Sequence, residues 1–175
     1  MYDRYPVHQV TSSADDCLEG WGDAAAAVAA RARLNSRCVV AVECYPGVFV
    51  EEVRAAFEAG LAPDVAVDAE EAFLPSEELE RRLAPYLGDD PVFGFMCPWG
   101  LEQFYDADRL EARRQRVASA DGIVLVYGTG ASLVAPDADV LVYADLTRWE
   151  IQQRQRACIR TAALQARLLR RLARG

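Results

Sequence analysis

The chain has 175 residues, 52% hydrophobic and 26% charged, a length and balance that describe one domain with a substantial core and exclude a disordered chain. Its nineteen basic residues, every one an arginine, stand against 27 acids for a net charge of −8. Such an acidic body lacks the broad basic face of a nucleic-acid binder, and the absence of lysine excludes a Schiff base or an ammonium at the outer phosphates of a nucleotide.

Several function classes fall away on composition. No run reaches the roughly 18 apolar residues of a membrane helix, and MYDRYPVHQV lacks the basic-then-apolar layout of a signal peptide. Neither a membrane partner nor a secreted location is expected. Cys17, Cys38, Cys44, Cys97 and Cys158 are widely spaced, which disfavours a zinc knuckle and fits a reducing cytoplasm. His8 is the only histidine, so a histidine metal site and a Ser/His/Asp triad have little to build on. No catalytic residue and no metal ligand is assigned.

In chain order, residues 1–22 read as irregular, with Pro6 and Thr11-Ser12-Ser13. Asp23 caps a helix over the alanine-rich run Ala24–Leu34. Cys38–Val42 is a continuous apolar run and predicts a central strand. Val50–Glu58 predicts a helix that Gly60 terminates, and Ala62–Val67 a short second strand. Ser76 caps a helix over Glu77–Leu87. Residues 88–105, GDDPVFGFMCPWGLEQFY, carry two prolines, three glycines and five aromatics and read as a structured loop. Its DDPVFGF stretch is a candidate lid. Asp106 or Asp108 starts a helix to about Ser119. Gly122–Tyr127 and Asp139–Ala144 predict the third and fourth strands, and a long helix runs from near Thr147 to about 174. Strands alternating with helices predict a single α/β domain over 1–175, a three-layer sandwich with a mainly parallel sheet. Ligands collect beyond the carboxyl ends of such strands, which here carry Glu43, Asp68, Tyr127-Gly128 and Asp145.

Three stretches on that rim are the candidate site. The first is Tyr45-Pro46-Gly47, between a strand and a helix, the layout of a phosphate cradle. Against the pattern G-x-x-x-x-G-K-[ST], Cys44 falls on the first glycine, Gly47 on an inner one, Phe49 on the last, Val50 on the lysine and Glu51 on the hydroxyl. Glu51 and Glu52 repel a triphosphate while favouring the helix dipole, so the turn is kept and its chemistry removed. The second is Gly128-Thr129-Gly130-Ala131, a turn able to aim N–H groups at an anion or simply to pack loop on sheet. The third is Asp145 with Arg148, Arg154 and Arg156 on the following helix, whose guanidinium forks suit phosphate oxygens unless the helix is only a solvated one anchored by Trp149. From Arg148 to Gly175 there are eight arginines against one acid, Glu150. That +7 leaves −15 on the rest of the chain.

Together, the strand with YPGV, the DPVFG loop, the VYGTGA turn and the YADLTRWEIQQRQR helix resemble the N-terminal region of bacterial class I mannose-6-phosphate isomerase-like proteins, with RWEIQ-x-R-x-R the most specific element. That region is similar in order to uridine-kinase-like P-loop proteins. The resemblance implies a P-loop-kinase-type fold with a degenerate phosphate loop, YGTGA standing where a Glu-Gly strand end belongs and Arg148, Arg154 and Arg156 near the lid arginines. It also implies a cupin isomerase domain as neighbour. One histidine cannot supply that domain's metal ligands, so the chain is not expected to isomerise mannose 6-phosphate by itself; it is a fragment, acts alone, or works beside a separate cupin chain.

The leading expectation is a non-catalytic or regulatory kinase-like module in sugar-phosphate metabolism. It binds a phosphorylated small molecule or a partner domain through the eleven rim residues from Tyr45 to Arg156 named above. One alternative is an active phosphotransferase using ATP and magnesium, with Glu43, Asp68 or Asp145 holding the metal. Another is a pure interaction or homo-oligomer module, with Leu164, Leu168 and Leu172 in an apolar line beside Arg160, Arg167 and Arg171.

Overall fold

The computed structural model describes residues 17–87, 95–154 and 156. The irregular reading of residues 1–16, the DDPVFGF lid up to Gly94, and the leucine line of the C-terminal helix lie outside the described residues.

The element order is α1 (Gly20–Ala32), β1 (Cys38–Cys44), α2 (Val50–Leu61), β2 (Val65–Asp68), α3 (Ser76–Leu87), α4 (Ala107–Ala118), β3 (Ile123–Gly128), α5 (Ala131–Val134) and β4 (Val140–Ala144). Short 3₁₀ turns occupy Glu70–Ala72 and Leu101–Phe104, and residues 148–154 open a further helix. The four strands form an all-parallel sheet in the order β2-β3-β1-β4. Their carboxyl ends therefore share one rim, as the alternation of elements predicts. β1 is central, pairing with β3 from Cys38↔Ile123 to Glu43↔Gly128 and with β4 from Val40↔Val140 to Cys44↔Ala144.

Both faces of the sheet are covered, which is why β1 reads as an unbroken apolar run. Cys38, Val40, Val42 and Cys44 point to the α1/α2 side, where Ala25, Ala29 and Ala32 of α1 and Val53, Phe57 and Leu61 of α2 meet them. Val39 and Ala41 point the other way, to Leu110 and Val117 of α4 and Ala131 and Val134 of α5. The spacings 25/29/32 and 53/57/61 are those of one helix face. Burying a side chain such as Phe57 contributes about 1.5–3 kcal/mol.

Some expectations are corrected. α1 begins at Gly20, with Asp23 inside its first turn rather than at the cap. Gly60 does not end α2. The helix runs on to Leu61 and stops at Ala62, which is left-handed at φ +49°. Gly60 instead lets the two helices close together, since a Cβ there would lie 2.8 Å from that of Ala25. Ala62–Asp64 precede β2 rather than belonging to it. α5 was not anticipated; four residues are too few for a visible helical period, yet they carry the chain from β3 across to β4. Asp106 does cap α4, its side chain accepting from the Arg109 N–H at 3.0 Å.

Candidate functional site

The turn after β1 closes upon itself. The Val48 N–H donates to the Tyr45 carbonyl at 3.0 Å, with Pro46 and Gly47 between and Gly47 at φ +103°, as Pro-Gly directs in a type II turn. The Tyr45 N–H is spent on the Ala144 carbonyl at 2.9 Å, and proline has none. In the first turn of α2, Glu51 pairs with Arg54 at 2.7 Å, and Glu52 is exposed. Two of the loop's N–H groups are thus spent within the fold, and two carboxylates stand in the helix's first turn.

Arg154 lies over this turn. Its guanidinium donates to the Gly47 carbonyl at 2.7 Å and to Glu150 at 2.8 Å, and it sits 3.9 Å from the centre of the Phe49 ring. Its fork is engaged in fastening the helix at 148–154 to the β1–α2 turn.

The second turn has an anion already in it. The Glu43 carboxylate accepts the Gly130 N–H through Oε1 at 2.7 Å, and through Oε2 both the N–H and the hydroxyl of Ser132 at 2.7 Å each. The Thr129 N–H donates to Glu70 at 3.1 Å, and the Tyr105 hydroxyl donates to the Thr129 carbonyl. Gly128 and Gly130 take φ +100° and +84°, the conformations that turn these amides inward. The N–H donors expected to meet a ligand's phosphate are held by the protein's own carboxylates. Glu43 stands next to Cys44 at the end of the most buried strand. A charge in such a place needs partners, and that is the signal by which its role could have been found. Glu70 and Tyr105 were not singled out. They sit in a 3₁₀ turn and at an isolated bridge with Phe73, and neither position has a recognisable local pattern.

An open cavity of about 300 Å³ lies above these turns, lined by Glu43, Cys44, Tyr45, Pro46, Leu101, Thr129, Ser132 and Tyr143. It brings Tyr45 and Pro46 together with Thr129, although they are far apart in sequence. The remaining candidates are not gathered into it. Gly47 is under Arg154. Ala131 is buried at the start of α5. Asp145 is exposed, one oxygen accepting from the Leu146 N–H at 2.7 Å. Arg148 is exposed, and Arg156 lies 5.9 Å from the Trp149 ring.

The local field is negative. Burial first, then Glu70, Glu43 and Asp68, pushes the Cys44 thiol up to about 11. Burial followed by the same three acids raises the Tyr105 phenol. Burial likewise raises Asp68, although its carboxylate accepts the Glu70 N–H at 2.8 Å. Tyr127 is pushed up to about 12 by burial and then by Asp68. Among the described residues no group of three or more histidines, cysteines and acids is placed to hold a metal ion.

Residues 20–167 match the family described as a domain of unknown function (DUF8485), and the chain belongs to that family. No curated protein and no solved structure matches it.

Proposed function

We propose that this family member is a kinase-like module of the degenerate P-loop type that transfers no phosphoryl group and acts by binding, in a regulatory role. The observation that carries this reading is Glu43 seated in the glycine turn, occupying the donors that an anion would need. Phosphoryl transfer is mostly positioning and charge neutralisation. Here the first cradle opens onto Glu51 and Glu52, and the second is filled from within. A central parallel strand feeding a glycine turn and a helix supports the kinase-like description of the scaffold. The setting in sugar-phosphate metabolism, beside a cupin domain, rests on the sequence resemblance alone. The binding site is the cavity between Tyr45 and Tyr143, and its occupant is a small molecule or a group on a partner domain. For a phosphate on that occupant the reading relies on the exposed Arg148 and Arg156 rather than on the filled turn.

The test is a thermal-shift and turnover assay of the intact chain with ATP and GTP, with and without magnesium, in the presence of sugars and nucleosides. The expected outcome is no nucleotide consumption and no nucleotide-dependent rise in melting temperature. A ligand at a hundredfold excess over its dissociation constant stabilises by about 2.7 kcal/mol, so binding is visible if it occurs. Magnesium-dependent consumption of ATP that is lost on Arg148→Ala would overturn the proposal.

A further inference from the structure

We infer that the group entering the cavity is a protonated amine or guanidinium, seated against Glu43 and the faces of Tyr45 and Tyr143. The inference deepens the proposed function and rests on the cavity being a binding site.

A carboxylate offers about four acceptor positions. In Glu43 three are taken, by Gly130 and by the N–H and hydroxyl of Ser132, so one is left for a donor from outside. Among the described residues that line the cavity none is basic. Asp68 and Glu70 stand close behind. Their effect is felt at Cys44 and Tyr105, whose ionised forms are disfavoured by burial and then by these acids. At Tyr143, desolvation and then Asp145, Tyr45 and Glu43 act in the same direction. The guanidinium of Arg154 is engaged by Gly47 and Glu150. Among the described lining residues an incoming anion meets no counter-charge, whereas a cation gains from the field.

The remaining lining suits the apolar part of such a group. Tyr45 and Tyr143 are 40% and 59% exposed, and phenol faces attract ammonium and guanidinium ions. Leu101 and Pro46 supply apolar walls, and Thr129 and Ser132 supply hydroxyls. A neutral sugar ring can use the hydroxyls, but it gains nothing from the acidic field. The same cation can be a free small molecule or an arginine or lysine side chain of a protein, and the two are separated by experiment.

The intact chain, isotopically labelled with its amides assigned, is titrated with N-acetyl-arginine amide, its neutral isostere N-acetyl-citrulline amide, glucose and glucose 6-phosphate. A fifth titration uses a short neutral-capped peptide with one central arginine. The expected result is saturable shifts at Tyr45, Thr129, Ser132 and Tyr143 with the arginine compound, binding at least tenfold weaker for the citrulline compound, and weakening as salt is raised. Glu43→Gln lowers the affinity at least tenfold. Should that variant fail to fold, Tyr143→Ala is expected to weaken the arginine compound several-fold. Peptide binding more than tenfold tighter than that of the free compound assigns the cation to a protein partner; equal binding assigns it to a small molecule. Equal affinity for arginine and citrulline compounds, or preference for glucose or glucose 6-phosphate at the same amides, overturns the cation while leaving the cavity as the site. No shift at these amides with any probe overturns both the inference and the binding reading beneath it.

Discussion

At Glu43 a single carboxylate accepts three hydrogen bonds that hold the Gly130–Ser132 turn against the end of β1. Glu43→Ala strands two backbone N–H groups, and we expect a loss of about 3 kcal/mol in urea-unfolding stability, since each unsatisfied polar group costs about 1–3 kcal/mol. Asp68 carries a pH signature. Burial holds its carboxyl above the ordinary value of 3.8, so the folded chain takes up this proton more readily than the unfolded one. The stability it contributes is complete below about pH 3.8 and is lost as pH rises through the raised value. Asp68→Asn keeps an oxygen for the Glu70 N–H. It is expected to raise the melting temperature at pH 7, with the gain vanishing on acidification below that ordinary value. Cys44, buried and pushed up to about 11, is expected to resist alkylation at pH 8 in the native chain, whereas exposed Cys17 reacts. Peptide mapping by mass spectrometry reads both sites at once. Full native labelling of Cys44 would show that the end of β1 opens freely.

At the scale of elements, α2 and its two neighbouring glycine-like positions invite an exchange. Gly60 packs against Ala25, whereas Ala62 holds the left-handed position at the helix end. Gly60→Ala is expected to destabilise, because α1 and α2 must move apart to admit a methyl. Ala62→Gly is expected to stabilise by up to about 1 kcal/mol, because glycine adopts positive φ without the Cβ penalty. Thermal unfolding of the two variants checks both signs. The pair shows how far local patterns reach. A glycine near the close of an amphipathic stretch reads as a terminator, and only the partner helix reveals that it is a contact. By contrast the Asp106 cap, the apolar β1 run and the Pro-Gly turn were legible, because each is settled by residues within a few positions of one another.

Across the whole molecule, β1 is buried between β3 and β4 and covered by helices on both faces, whereas β4 is paired on one side only among the described residues and exposes Leu141 and Tyr143 at 62% and 59%. Native-state hydrogen exchange is therefore expected to be slowest at Val40 and Val42 and markedly faster along β4; equal protection in the two strands would mean that β4 is covered by something further. The parallel sheet, its two helical layers and the common rim of strand ends were readable from sequence, since hydrophobic runs and their alternation with amphipathic stretches are properties of local composition. The composition also determined, unaided, that no lysine ammonium serves this rim. What fills the glycine turn was a matter for the tertiary structure alone. Glu43 and Gly130 are 87 residues apart, and a carboxylate meets a backbone amide at that separation only once the crossover has laid β3 beside β1.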